Sequence, residues 1–326
     1  MILSPYNFFQ WNGLRTIVDI RPDDAFRKGS FPRSVSIPVE NYIRKAELVV
    51  AIQKIHKKDT LHIIDHDGNT ANEILSLIDC YVLEGGYKNF KNWRDNTYSD
   101  GPPIGIIGGK TGSQKTEMLR TLSKMNRQVI DLEQLAKHKG SVFGNLSGKQ
   151  QPSFDFFQNK LLELWVSCNP EIPVWIEEKG PILGQLGLPK MLYNRMLGSF
   201  IIHLDVPFET RLAHIQNEYL SVNSKLFAEC IRKLEKRTGV SANHQALHYY
   251  ATGQTEKCLR LLLHYYDQSY EKRRGLYQAE TILCINPSQL ENEEAINYYE
   301  KEIMTFHKKR GPAVLPQGTL INVNQH

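Results

Sequence analysis

Apolar residues along this chain fall into two patterns. Short runs rich in β-branched residues, of the kind that fill a sheet, occur at Ile17-Val18-Asp19-Ile20, His62-Ile63-Ile64 and Tyr81-Val82-Leu83. They recur at Ile104-Gly105-Ile106-Ile107, Gln128-Val129-Ile130, Val174-Trp175-Ile176 and Phe200-Ile201-Ile202-His203-Leu204. Between them, residues 42–55, 70–78 and 117–125 place apolar side chains at helical spacing. Strands separated by helices predict mostly parallel sheets covered by helices, an α/β fold. Residues 221–274 read as helical throughout, Thr281-Ile282-Leu283-Cys284-Ile285 as a strand returning to the sheet, and the segment from Gly311 to His326 as a poorly ordered tail. The polar stretch from Arg94 to Asp100, closed by Gly101-Pro102-Pro103, reads as a linker. The expected organisation is a domain over residues 1–98 and a second over 99–326, the latter with a helical segment at about 221–275.

Composition adds exclusions. A length of 326 residues suits two domains, and 41% hydrophobic with 23% charged residues is ordinary for a soluble protein. No apolar run approaches a membrane span, and the start Met1-Ile2-Leu3-Ser4-Pro5-Tyr6 lacks a secretory pattern, so a cytoplasmic protein without membrane contact is expected. The cysteines at 80, 168, 230, 258 and 284 are odd in number and never spaced Cys-x-x-Cys, which argues against a disulfide framework or a cysteine metal site. The net charge of +5 is modest, yet basic residues cluster, for example Lys137-His138-Lys139 and Arg232, Lys233, Lys236 and Arg237. Such clusters follow a nucleic-acid backbone or decorate a solvated helix face, and charge alone favours neither.

The strongest chemical signal is Gly109-Lys110-Thr111-Gly112-Ser113-Gln114-Lys115-Thr116, which follows an apolar run and precedes a helical pattern. In a phosphate-binding loop of this kind successive backbone N–H groups point at a phosphate, Lys115 neutralises it and the Thr116 hydroxyl holds magnesium. Gln114 departs from the pattern, which asks there for glycine because the backbone shape disfavours a Cβ. The competing reading is a Gly/Ser-rich turn before a helix, with no ligand.

Further strings carry a resemblance. Val18-Asp19-Ile20-Arg21-Pro22 with Phe26, Gly29 and Ser36-Ile37-Pro38-Val39, then Leu83-Glu84-Gly85-Gly86-Tyr87-Lys88, look like the first and last motifs of a rhodanese domain. Asp131-Leu132-Glu133, residues 138–144, Gln151-Pro152-Ser153, Trp175-Ile176-Glu177-Glu178, Leu204-Asp205-Val206-Pro207 with Arg211, and Tyr265-Tyr266-Asp267 follow in order. Together they resemble the tRNA 2-selenouridine synthase family, in which a rhodanese domain precedes a P-loop domain. The resemblance implies action on the wobble 2-thiouridine of tRNA, by geranyl transfer from geranyl diphosphate and replacement of sulfur by selenium from selenophosphate. It implies a diphosphate held by Gly109, Gly112, Ser113, Gln114, Lys115 and Thr116. Glu177 or Glu178 would bind magnesium through water or position the reacting groups, or would be an exposed carboxylate without a catalytic task. Arg211 would meet phosphate or form a structural ion pair, and His138, Lys139, Ser141, Arg232, Lys236 and Arg237 are candidates for tRNA contact.

Besides Gln114, the chain departs from the family in two further places. Where a rhodanese domain presents a cysteine, the loop reads Asp65-His66-Asp67-Gly68-Asn69-Thr70. Neither aspartate nor histidine forms a persulfide, which counts against chalcogen transfer by this domain and leaves room for a separate selenium or sulfur carrier protein. Lys179, Gly180 and Pro181 stand where the family prefers an acid, a serine and a basic residue. A tRNA-modifying transferase is therefore the first expectation. A catalytically inactive homologue that binds tRNA or protein is the second, and a P-loop small-molecule kinase the third.

Overall fold

The computed structural model describes residues 1–11, 13–56, 59–138, 150–219, 224–275 and 282–310. Lys139, Ser141, the block as far as Gly144, the side chain of Arg237 and the tail from Gly311 lie outside the described residues. The chain forms two compact units, one of Met1–Tyr98 with Pro152–Trp165 and one of Ser99–Gln151 with Val166–His326.

In the first unit β1 (Ile2–Leu3), β2 (Arg15–Asp19), β3 (Val35–Ser36), β4 (Thr60–Ile64) and β5 (Tyr81–Leu83) form a parallel sheet in the order β1-β5-β4-β2-β3. The runs at Ile17, Ile63 and Val82 become its three inner strands. Val18, Leu48, Ile52, Ile63, Ile74 and Val82 are buried together in its core. At the end of β2 the fully buried Asp19 takes the Arg21 guanidinium (Nη2 to Oδ2, 2.6 Å), which also donates to the Gly29 carbonyl and lies 3.5 Å from the centre of the Tyr87 ring. A buried carboxylate is tolerable when paired and fully hydrogen-bonded, as here.

The stretch expected to be a linker is different in structure. Arg94 lies in the helix Gly86–Thr97 and is only 1% exposed, because its Nη1 donates to Asp155 (3.1 Å) and Asn159 (2.8 Å). Asn159 in turn donates to the Tyr87 hydroxyl at 2.6 Å. Both partners stand on the helix Phe154–Ser167, whose first twelve residues therefore pack with the first unit, although the sequence reading drew a single boundary after residue 98. Asp100 and Pro102 are likewise held, their carbonyls each accepting from Arg195 at 2.7 Å within the second unit.

The second unit contains β6 (Ile104–Gly108), β7 (Gln128–Ile130), β8 (Val174–Glu177), β11 (Phe200–Leu204) and β12 (Ile282–Ile285), all parallel, in the order β12-β11-β6-β8-β7. Every residue of β6 is buried, as its continuous apolar run requires in a sheet covered on both faces. The chain leaves β6 toward β7 and β8 and later returns to its other side as β11, so the topological switch point lies at β6. In an open parallel sheet, ligands bind at the carboxyl ends of strands beside such a point. A short antiparallel hairpin, β9 (Ile182–Leu183) with β10 (Leu186–Gly187), follows β8 and escaped the sequence pattern because each strand has two residues. Residues 224–274 form four helices, Ser224–Lys233, Glu235–Thr238, Val240–Ala251 and Thr255–Arg274. They pack around Phe227, Ile231, Leu259 and Leu262. No described helix is long and apolar enough to cross a membrane.

Arg21→Met should destabilise the first unit by about 3–5 kcal/mol, since it leaves the Asp19 carboxylate buried without its cation. Native-state hydrogen exchange of the β4 amides measures this, and a loss below about 1 kcal/mol contradicts it.

Candidate functional site

The loop at the end of β6 begins with Gly109 at φ 146° and reaches Gly112 at φ 82°, conformations that suit glycine. Neither position has room for a side chain: a Cβ on Gly112 would lie 2.7 Å from the Arg211 carbonyl oxygen, and one on Gly109 would lie 2.4 Å from Ser113 Oγ. Gln114 caps the helix Lys115–Lys124 in the left-handed region at φ 60°, ψ 32°, the shape for which the motif normally uses glycine. The loop thus keeps its course with a residue that bears the strain, of order 1–2 kcal/mol for an L-residue. Below the helix start, the Lys115 ammonium donates to the carbonyls of Gly109 (2.6 Å) and Lys110 (3.2 Å), folded back along its own loop. Burial and then the neighbouring Lys179 pull its pKa down to about 8. Ser113 is buried, and its hydroxyl has no hydrogen-bond partner among the described residues.

Two carboxylates approach Thr116. Its hydroxyl lies 3.3 Å from Glu177 Oε2 at the end of β8 and 3.4 Å from Glu133 Oε2 on the helix Leu132–Ala136. Between the carboxylates sits Lys179, with Nζ 2.5 Å from Glu133 Oε1 and 3.2 Å from Glu177 Oε2. Burial raises the Glu177 pKa, opposed chiefly by Lys179. Burial also works against the Lys179 charge, but Glu177 and Glu133 outweigh it and raise that pKa above the ordinary lysine value. Glu177 Oε1 is buried without a partner among the described residues. A magnesium ion in a phosphate loop is held by the Ser/Thr hydroxyl and a strand-end acid. Thr116 and Glu177 are the residues of that type, but an ammonium already bonds Glu177 Oε2 and would repel a dication, so the residues present do not fit a magnesium ion. No group of three or more metal-ligating side chains occurs among the described residues.

Glu178 faces the other side of the loop. Its Oε2 accepts from the Tyr270 hydroxyl (2.6 Å) and, more distantly, from the Gly109 N–H (3.4 Å). Tyr270 has one proton to give, so the 3.0 Å contact with His203 is a bond donated by His203 Nδ1–H. Burial keeps that histidine neutral, its pKa lowered to about 4. Arg211, a candidate phosphate ligand, forms a bidentate pair with Asp267 (2.8 and 2.7 Å) and donates through Nη1 to the Thr111 carbonyl (3.0 Å). Its charge is already matched, and it props the loop from behind. His214 Nδ1 donates to Gly112 O at 2.9 Å, adding a second prop. Gln151 ties the Ala136 and Leu183 carbonyls together (3.1 and 2.9 Å), fixing the Glu133 helix against the β9–β10 hairpin.

The structure therefore brings Gly109, Gly112, Ser113, Gln114, Lys115, Thr116, Glu177 and Glu178 together, with half-buried His138 at the edge near Glu133 and Lys179. Arg232 and Lys236 are exposed on the helical segment instead. Sequence reasoning missed Lys179 and Glu133 as site residues, along with Asp267, Tyr270, His203 and His214. Glu133 and Asp267 were visible within motif strings, and Lys179 only as a departure.

In the first unit, the loop after β4 closes on itself. Asp65 accepts from the Gly68 N–H (2.7 Å) and the Ala71 N–H (3.0 Å), so its carboxylate fills the ring of amides. Burial raises its pKa against those bonds. Asp67 turns to Asn69, and Gly86 backs the loop so closely that a Cβ would lie 2.5 Å from the Asp67 nitrogen. Gly68 adopts φ 90° and His66 is exposed. Cys80 gives no substitute thiol, being 3% exposed within the core and pushed up to about 11 by burial.

Residues 102–251 match the family model for the tRNA 2-selenouridine synthase AAA domain, and residues 7–92 match that for the rhodanese-like domain. A tRNA 2-selenouridine synthase of Shewanella halifaxensis is 31% identical over 277 residues, covering 73% of this chain and 74% of that protein. One of Nitrosomonas europaea is 27% identical over 245 residues, 63% of each chain. One of Serratia proteamaculans is 35% identical over 141 residues, 42% of this chain and 37% of that protein. The matched regions thus span less than two thirds of the length of these last two relatives.

Gln114→Gly trades the left-handed strain of about 1–2 kcal/mol for a glycine entropy cost of about 0.5–1 kcal/mol. The variant should match the parent in urea unfolding of the second unit or exceed it by up to about 1 kcal/mol, and a clear loss would contradict the strain. Sulfate, which does not titrate in this range, should bind less tightly as pH rises from about 8 and Lys115 loses its proton. Lys115→Arg should flatten that profile in calorimetry, and an unchanged slope would remove Lys115 from the site.

Proposed function

The chain belongs to the tRNA 2-selenouridine synthase family, and on that premise we propose that it is a transferase acting at the wobble 2-thiouridine of tRNA, with geranyl diphosphate as donor. The observation that carries this reading is the Gly109–Thr116 loop with Lys115 resting on its carbonyls. An arriving diphosphate would draw that ammonium and the inward N–H groups onto its own oxygens. In geranyl transfer the thiouridine sulfur attacks the allylic carbon, the carbon–oxygen bond to the diphosphate breaks with its electron pair leaving on the diphosphate, and the N3 proton of the base passes to water or to the released diphosphate. Charge develops on the leaving group, which on this reading the loop N–H groups and Lys115 would meet. Arg211 and His214 act on this step by holding the loop carbonyls of Thr111 and Gly112. The exposed Arg232 and Lys236 are the described candidates for the tRNA backbone. On this reading the protein works in the cytoplasm with tRNA.

Selenium does not travel through the first unit in this proposal. A chalcogen carrier needs an accessible thiolate, whereas the loop is filled by the Asp65 carboxylate and Cys80 is buried and protonated. Selenium exchange, where it occurs, is then supplied by a separate carrier protein or by selenophosphate directly.

Mass spectrometry of 2-thiouridine tRNA incubated with the protein and geranyl diphosphate should show a geranylated nucleoside. Lys115→Ala should abolish it, and Cys80→Ser should leave it unchanged. Equal product from Lys115→Ala would sink the loop assignment, whereas tRNA binding without product in the parent protein would favour the inactive homologue.

A further inference from the structure

The ammonium of Lys179 lies where a divalent cation would be expected at a phosphate loop. Thr116 Oγ1 lies 3.4 Å from Glu133 Oε2 and 3.3 Å from Glu177 Oε2. Lys179 Nζ reaches the same two carboxylates at 2.5 and 3.2 Å. The pocket is closed, the Lys179, Glu133 and Glu177 side chains being 13%, 11% and 0% exposed. Lys179 thus supplies the positive charge beside Glu133 and Glu177, while Lys115 lies in the field of Glu177, Glu178 and Glu133.

We propose that Lys179 is a built-in counter-cation of the phosphate loop, so that the site takes a diphosphate without a divalent metal. The inference rests on the reading of the loop as a diphosphate site and names the charge that site uses. A dication would have to enter beside an ammonium and compete with it for Glu177 Oε2, and each electrostatic contact is stronger where water is excluded. An ammonium on a short tether is always in place and offers three donors, two of which are used by the glutamates. Glu133 and Glu177 thereby serve as positioning residues for a lysine rather than as ligands to a metal.

The test uses the full chain and manganese as a spectroscopic probe. Electron paramagnetic resonance titration should show no stoichiometric Mn²⁺ site in the parent protein, and a site held by Glu177 there would overturn the proposal. Lys179→Ala frees Thr116 and both carboxylates, so it should bind Mn²⁺ about tenfold or more tighter than the parent. Glu133→Gln in that background should remove the gain. Mn²⁺ should also raise the melting temperature of Lys179→Ala and not that of the parent, and a variant with no gained site would count against the proposal. Lys179→Gln, closer in volume, serves if the alanine variant fails to fold, and the titration of the parent needs no variant. Inorganic pyrophosphate should bind the parent equally in Mg²⁺ and in EDTA by calorimetry, and a tenfold loss in EDTA would overturn the inference. If pyrophosphate binds in neither buffer the diphosphate reading falls, while the manganese titration still decides the role of Lys179.

Discussion

Charge balance in a closed space governs the second unit. Glu177 is fully buried at the end of β8, and Lys179 and Glu133 are nearly so. An unpaired ion in that position would cost several kcal/mol, and removing one partner leaves the other exposed to that cost. The lysine therefore does more than decorate the strand end. It bonds two glutamates beside Thr116, and its proximity helps lower the Lys115 pKa. Around this cluster the loop is propped on its carbonyl side by Arg211 and His214 and anchored at Gly109 through Glu178 and Tyr270. The props take the Thr111 and Gly112 carbonyls, while the Gly109 N–H is turned to Glu178 and the Ser113 N–H to the Lys110 carbonyl.

The first unit has kept a frame and closed its loop. Asp19, Arg21, Tyr87, Asn159 and Arg94 form a continuous buried network from the end of β2 to the helix Phe154–Ser167. The tight glycine pair at Gly85 and Gly86 still supports the turn after β4. What the turn holds is a carboxylate, bonded to the amides that would surround a transferred chalcogen. An intact frame around a loop without a thiol fits a domain that serves packing or recognition, since one fold can carry different sites.

Much of this was legible in the sequence. The limits of β11 coincide with the run read at Phe200, because an inner strand of a parallel sheet writes itself as a near-continuous apolar run, and the edge strand β7 coincides with the run read at Gln128. The phosphate loop was legible through its glycines and Lys115. Arg94 was misread because a polar string before Gly-Pro-Pro resembles a linker, and only a helix that comes some sixty residues later in the chain buries it. Lys179 was misread for a similar reason. As a letter it breaks a motif, and its value depends on Glu133, 46 residues away. Long-range pairs such as Arg211 with Asp267 and Glu178 with Tyr270 have no local signature at all.

Hydrogen exchange with mass detection on the full chain tests the division of labour most directly. Geranyl diphosphate should protect amides within residues 109–116, and selenophosphate should leave residues 65–71 unchanged. Protection of the 65–71 loop by selenophosphate, with none at 109–116 from geranyl diphosphate, would contradict the account.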